Sequence, residues 1–215
     1  MDHVKSSSDC DADRDQKYRI NQYNKKEVII MAEKSSERRK LQTADLAYIA
    51  VGTVLITVCS WISIPTVVPF TLQTFAVFSV LGLLGGKRGT ISVLIYILLG
   101  AVGVPVFAGF SGGFGVILGP TGGYIVGFIL MGLLYWLMEK LFGTKIHIRI
   151  ISMVLGLLVC YAFGTVWFMI VYAKQSGPIG LGTALLSCVV PFIIPDFVKM
   201  GLALLITSRV GKFLK

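Results

Sequence analysis

Charge is scarce in this chain. Only 14% of its 215 residues are Asp, Glu, Lys or Arg, against 55% hydrophobic residues and a mean hydropathy of +0.79, which excludes an ordinary soluble domain. Histidine is scarcer still: the two in the sequence, His3 and His147, stand too far apart to share a metal ion. The four cysteines, Cys10, Cys59, Cys160 and Cys188, show neither CxxC nor Cys/His spacing. No metal site or disulfide framework is therefore expected, and the three in apolar surroundings read as small buried hydrophobes. A phosphate-binding loop is missing as well, because Gly113-Phe114-Gly115 follows no strand pattern. The chain thus carries no ATP-hydrolysing motor of its own and no nucleotide cofactor. Its first 40 residues lack the apolar stretch of a signal peptide.

What remains is apolar sequence in membrane-sized runs. Six segments approach the 17 to 25 residues that a hydrocarbon core of about 30 Å demands, at 44–62, 68–85, 89–106, 121–139, 148–172 and 190–208. The expected fold is all-α: a polytopic membrane protein of six transmembrane helices. Residues 1–43 form a basic, largely disordered tail, with MAEKSSERRK from Met31 reading as an alternative start, residues 44–210 the membrane domain, and residues 211–215 a short end. The formal charge of +9 does not point to nucleic acid. Half of the 20 basic residues lie in the tail, and Lys87, Arg88, Lys140, Lys145, Arg149, Arg209, Lys212 and Lys215 fall in alternate connections or after the last segment. With the N-terminus inside, every one of these is cytoplasmic and the outer connections keep only Lys174, so both termini are placed in the cytoplasm.

Two outer connections stand apart. Residues 103–123, GVPVFAGFSGGFGVILGPTGG, hold eight glycines, two prolines and no charge. A loop that apolar is poorly solvated in water, so it is expected to fold back over the bundle and offer backbone donors to a ligand. In the last connection, GLGTALLSCVV reads as a short helix or re-entrant turn, and because Pro191 and Pro195 cannot both sit in an undisturbed helix, the last full helix is expected to begin near Pro191 or Pro195. If Pro195 takes the first helical position, Asp196 falls in the first turn, where the helix dipole favours a carboxylate.

Asp196 and Lys199 are the charged residues well inside the apolar segments, away from the segment ends, three apart and so on one helical face. Each costs at least about 2.5 kcal/mol at the centre of a bilayer. They read either as a structural ion pair or as a polar site opening outward, with Asp196 accepting from ligand N–H groups and Lys199 attracting a ligand carboxylate or holding Asp196 ionised. Intramembrane hydrolases and lipid transferases need several such groups, so no catalytic residue is assigned and no enzyme is expected. Tyr124, Tyr161 and Trp167 lie near the outer halves of their helices, and Thr71 and Gln73 in PFTLQT add polar atoms close by. Gly119, Gly123 and Gly127 recur every fourth residue, a spacing for close helix contact that makes packing the role of Gly123 and Gly127.

The stretches VPFTLQTFAVFSVLGLLGGKRG, YILLGAVGVPVFAGFSGGFGVILGPTGGYIVGF and PFIIPDFVKMGLALLI resemble the BioY family, the biotin-binding substrate components of energy-coupling-factor vitamin transporters. The resemblance spans residues 44 to 210 and leaves the tail unmatched. It implies an occluded biotin pocket near the outer face, in which Asp196 and Lys199 are the polar contacts and the loop from Gly109 to Gly123 forms part of the wall. Ser111, Gly109, Gly112, Gly113, Tyr124, Tyr161, Trp167, Gln73 and Thr71 are the further pocket residues it suggests. It also implies partners: a transmembrane coupling subunit and two ATP-hydrolysing subunits, in a bacterial plasma membrane. Docking in these transporters is associated with an Ala-xxx-Ala surface on the first helix. Here Ala44, Ala47, Ala50 and Gly52 offer small residues without an alanine pair four apart. A component for another vitamin or for dethiobiotin, and a membrane scaffold with a structural ion pair, are the alternative functions.

Overall fold

The computed structural model describes residues 43–66, 68–177 and 179–211, of which residues from Ala44 onward form one unit. The expectations for residues 1–42, including the start at Met31, and for residues 212–215 lie outside the described residues. The elements in chain order are α1 (Thr43–Trp61), β1 (Ser63–Ile64), β2 (Phe70–Thr71), α2 (Gln73–Val102), a 3-10 turn (Ala108–Phe110), α3 (Phe114–Leu118), α4 (Gly122–Phe142), α5 (Ile146–Ser176), α6 (Leu181–Cys188) and α7 (Val190–Val210). Among the described residues, five helical segments are long and apolar enough to cross a membrane, with Gln73–Val102 counted as one and Leu181–Val210 as one. Their outward faces carry large apolar side chains such as Val51, Leu137 and Ile194, as a lipid-facing surface requires.

Within α2 the chain turns back on itself. Gly85 takes φ 81°, ψ 168°, a conformation essentially closed to residues with a Cβ. Gln73 Nε2 donates to Tyr96 Oη at 3.1 Å, although 23 residues of straight helix would separate them by about 34 Å. A Cβ built on Gly89 would likewise lie 2.9 Å from Leu81 Cα. The two arms, 73–84 and 86–102, therefore pack side by side, joined at an elbow. The expected segment 68–85 is shortened at its start, because residues 70–71 pair with residues 63–64 in a two-stranded antiparallel hairpin. That hairpin is the exception to the all-α expectation. Two bonds hold it there: Leu72 N–H donates to Ile62 O, and the Thr71 carbonyl is taken by the Lys199 side chain of α7 rather than by a helix.

At the far end of α2, Gly103 (φ 109°) closes the helix with bonds from its own N–H to Gly100 O and from Val104 N–H to Leu99 O, the paired cap that a left-handed glycine permits. The following loop folds over the bundle as expected. Val106 and Phe107 are buried, the Phe107 ring packs edge-on against Tyr96 at 5.5 Å, and Gly113 N–H donates to Gly100 O at 2.7 Å. The end of α1 pins the loop: Ser60 Oγ donates to Val106 O and Trp61 Nε1 to Pro105 O.

Glycines set the helix contacts. A Cβ on Gly123 would meet Trp167, one on Gly127 would meet Cys160, and one on Gly164 would meet Tyr124, so α4 and α5 approach at backbone distance. Packing is indeed the place of Gly123 and Gly127. The expected short helix before the last span is α6. Pro195, however, lies inside α7 rather than opening it: the helix begins at Val190, with Pro191 in its first positions. Asp196 is therefore in the second turn, so hydrogen bonds and a counter-charge, more than the helix terminus, must stabilise its carboxylate. Pro195 forgoes one backbone bond, to the Pro191 carbonyl.

The elbow contact generates a stability prediction. A Cβ on Gly86 would lie 2.4 Å from the backbone Cα of Trp136. Gly86→Ala is expected to destabilise the protein by about 1–3 kcal/mol and to lower its unfolding midpoint in detergent. Gly201→Ala, whose Cβ meets nothing within 4 Å, should leave that midpoint unchanged or raise it.

Candidate functional site

A cavity of about 120 Å³ opens where the α2 start, the glycine-rich loop, α4, α5 and α7 meet. It has room for several waters or a small organic molecule. Its wall is mostly apolar: Phe107 from the loop, Ile125 and Phe128 from α4, Leu157 from α5 and Phe192 from α7. Against this apolar lining stand Asp196 and Lys199, 2% and 6% exposed.

The pair is held from three elements. Lys199 Nζ lies 2.9 Å from Asp196 Oδ1, as a separation of three residues on a helix allows. The ammonium also donates to the Thr71 carbonyl at 2.7 Å and to Thr74 Oγ1 at 3.1 Å, so each of its N–H bonds has an acceptor. It sits 4.3 Å from the centroid of the Phe70 ring, which adds a cation–π contact. Asp196 Oδ1 accepts from the Thr74 hydroxyl at 2.8 Å, and Oδ2 accepts from the Tyr161 hydroxyl at 2.6 Å. A carboxylate has about four acceptor sites. Three are used, and the free one is on Oδ2, the oxygen that does not touch the lysine.

The electrostatics follow from burial. Either charge alone would carry a desolvation penalty of several kcal/mol, and mutual neutralisation with a full set of hydrogen bonds offsets it. Because those bonds come from β2, α2 and α5, the compensation is complete only where these elements have come together. A free acceptor site on Asp196 Oδ2 and an ammonium whose longest bond is the 3.1 Å one to Thr74 Oγ1 thus stand side by side on an apolar wall.

Of the residues singled out in the sequence, Asp196, Lys199, Thr71, Gln73, Ser111, Tyr124 and Tyr161 all line this cavity. Gln73 is engaged with Tyr96, and the Tyr124 hydroxyl is 3.2 Å from Thr165 Oγ1. Ser111 Oγ donates to Ala108 O, which shapes the loop turn. Gly109, Gly112, Gly113 and Trp167 are not on the cavity wall. Gly112 is needed for close approach, since a Cβ there would sit 2.4 Å from Val104 O, while Gly109 and Gly113 adopt positive φ. Trp167 packs on the start of α4 and donates to Gly119 O at 3.0 Å.

Sequence reasoning passed over Thr74, which touches both members of the ion pair. Its one signal was its place in PFTLQT, and which of those polar residues faces α7 depends on where the helix begins. Phe70 and Phe192, stacked at 5.7 Å beside the lysine, were passed over for the same reason. On α1, Ala44, Ala47 and Ala50 are exposed, whereas Gly52 is buried: a Cβ there would meet Ser92 Oγ at 2.8 Å. Gly52 belongs to the contact between α1 and α2 and not to an exposed docking face. Among the described residues no cluster of His, Cys, Asp and Glu is arranged to hold a metal ion.

Comparison with known proteins bears on this site. The sequence model described as the BioY family matches residues 31–215. The biotin transporter BioY of Thermotoga maritima is 44% identical over 162 residues, covering 74% of this chain and 91% of that protein. A probable biotin transporter BioY of Pyrococcus horikoshii is 38% identical over 170 residues, covering 79% and 97%. Among solved structures, the S-component for biotin from an ECF-type ABC transporter superposes with a TM-score of 0.70 at 32% identity, over 81% of this chain and 94% of the other. A match across most of both chains, with the fold in common, places the sequence plainly: this chain belongs to the BioY family.

Proposed function

We propose that this chain is the substrate-binding component of an energy-coupling-factor importer, a multi-pass protein of the cell membrane that captures biotin and is not itself an enzyme. The observation that carries this reading is the buried Asp196–Lys199 pair set in an apolar cavity, in a chain whose relatives are biotin transporters. Biotin suits that wall. Its ureido ring presents N–H beside C=O, so an N–H donates to the free site on Asp196 Oδ2 while the carbonyl oxygen accepts from Lys199 in place of Thr74 Oγ1. Its thiophane ring and valeryl chain fill the space among Phe107, Phe128 and Leu157. Lys199 keeps its bonds to Asp196 Oδ1 and the Thr71 carbonyl and so remains the counter-charge of Asp196.

The remaining pocket assignments are part of the same proposal: Ser111, Tyr124, Tyr161, Gln73 and Thr71 at the wall, with Gly109, Gly112, Gly113 and Trp167 shaping the loop and helix behind it. The partners are a transmembrane coupling subunit and two ATP-hydrolysing subunits, consistent with a chain that lacks a phosphate loop. The exposed Ala44, Ala47 and Ala50 give α1 a small-residue face for that contact. Counting the arms of α2 separately and α6–α7 as one crossing gives six crossings, with both termini in the cytoplasm and the cavity toward the outside. The elbow at Gly85 and the basic residues Lys140, Lys145 and Arg209 then share the inner side.

Three outcomes are expected. Asp196→Asn should weaken biotin binding to the purified chain by more than tenfold, about 1.4 kcal/mol; unchanged affinity in folded protein would remove Asp196 from the site. Asp196→Leu alone should destabilise the fold by about 3–5 kcal/mol, because it leaves Lys199 uncompensated. Adding Lys199→Leu should restore the unfolding midpoint but not biotin binding. A double variant that binds biotin normally would make the pair purely structural. For the topology, single cysteines at Lys145 and Lys174 in a background without the native cysteines should react oppositely with a membrane-impermeant thiol reagent on intact cells. Lys174→Cys is labelled and Lys145→Cys protected, and the reverse pattern would invert the orientation.

A further inference from the structure

Gly85 interrupts α2, so the second arm starts afresh at Gly86 and its first N–H groups have no intrahelical acceptor. Glu139 of α4 takes the Gly86 N–H. Beside that contact lies a second cavity of about 370 Å³, open to the surface. Lys87 and Arg88 from the elbow and Trp136, Glu139 and Lys140 from α4 line it, and it shares no lining residue with the cavity beside Asp196. We infer that this elbow cavity is a binding site for the phosphodiester headgroup of an anionic phospholipid.

Charge selects an anion. Of the three cations on the wall, Arg88 is paired with Asp45 at 2.6 Å and leans over the Tyr48 ring. Lys87 and Lys140 are exposed, and among the described residues neither has a carboxylate within ion-pair distance. With Asp45 and Glu139 set against the three cations, one positive charge is left over, which a monoanionic phosphodiester between the two ammonium groups neutralises. Shape selects a lipid over a free ion. Leu133, Trp136, Leu137 and Lys140 follow one another at the spacing of a single helix face, and all four are exposed. An acyl chain has Leu133 and Leu137 to run along, the Trp136 indole marks the boundary where tryptophan favours the membrane interface, and Lys140 in the last turn of α4 stands at the headgroup. Charges that serve only to orient a chain in the bilayer need no cavity between them. The site requires only that the elbow and the end of α4 reach one membrane face; that this is the inner leaflet, where anionic lipids attract basic segments, rests on the proposed topology.

The test uses the full-length protein in a neutral detergent without biotin, so its outcome is independent of the proposed substrate. Native mass spectrometry counts bound lipid while dioleoylphosphatidylglycerol or dioleoylphosphatidylcholine is titrated, with inorganic phosphate as a soluble competitor. One phosphatidylglycerol is expected to be retained at concentrations where phosphatidylcholine is not, and phosphate should not displace it. Lys87→Gln with Lys140→Gln should raise the half-saturating concentration at least about tenfold, whereas Lys145→Gln with Arg209→Gln, which removes equal charge from exposed positions off the cavity wall, should change it less than about twofold. All four positions are exposed, so these variants should fold. Three results would overturn the proposal. Equal loss in both double variants means general attraction to a basic surface, equal retention of phosphatidylcholine means unselective coating, and displacement by phosphate means a site for a soluble ion.

Discussion

The pairing of Asp196 with Lys199 is the constraint on which the cavity end of this protein depends. Two charges cannot be left in an apolar bundle without full compensation, and the compensation comes from elements far apart in sequence. The Thr71 carbonyl from β2, the Thr74 hydroxyl from α2 and the Tyr161 hydroxyl from α5 all converge on one helical turn of α7. The requirement explains why residues 70–71 form a strand rather than the first turn of α2. A helical Thr71 would offer its carbonyl to Phe75 N–H instead of to the ammonium. Polar demand at one point thus shapes backbone at another.

Glycine supplies the complementary device. Gly85 lets α2 double back, so Gln73 and Tyr96 meet and both arms end at the loop side. Gly123, Gly127 and Gly164 let α4 and α5 close on each other, which brings Tyr124 and Cys160 to the cavity wall. In a bilayer, where lipid is as apolar as the side chains, such close approach is the main source of helix association. The result is a wall rigid enough to hold a single acceptor and donor in register.

The arrangement has a bearing on substrate capture. A site whose polar atoms are nearly all paired within the protein presents little free hydrogen-bonding capacity. In the proposed binding mode, selectivity would come from the match to Asp196 Oδ2 and the edge of the lysine and from the apolar volume around Phe107 and Phe128.

Asp196 and Lys199 stood out in the sequence because charge in an apolar run is costly wherever it lies. The helical runs and the folding back of residues 103–123 were legible from composition and period for the same reason: water and lipid impose them locally. The residues that complete the site were not. Thr74 and Phe70 carry no signal that distinguishes them from Thr71 and Phe75, and of the two starts that the prolines left open for α7 the structure takes the earlier, at Val190–Pro191, after a break at Val189. Gly112 and Gly113 were expected among the pocket residues, and what the structure adds is backbone geometry: a Cβ on Gly112 would meet Val104 O, and Gly113 takes a positive φ. The sequence by itself determined that this is a helical membrane protein with one buried ion pair, since hydropathy and desolvation act residue by residue. Tertiary structure alone decided which hydroxyls and carbonyls meet that pair and what volume surrounds it, because those contacts join residues 35 to 128 positions apart.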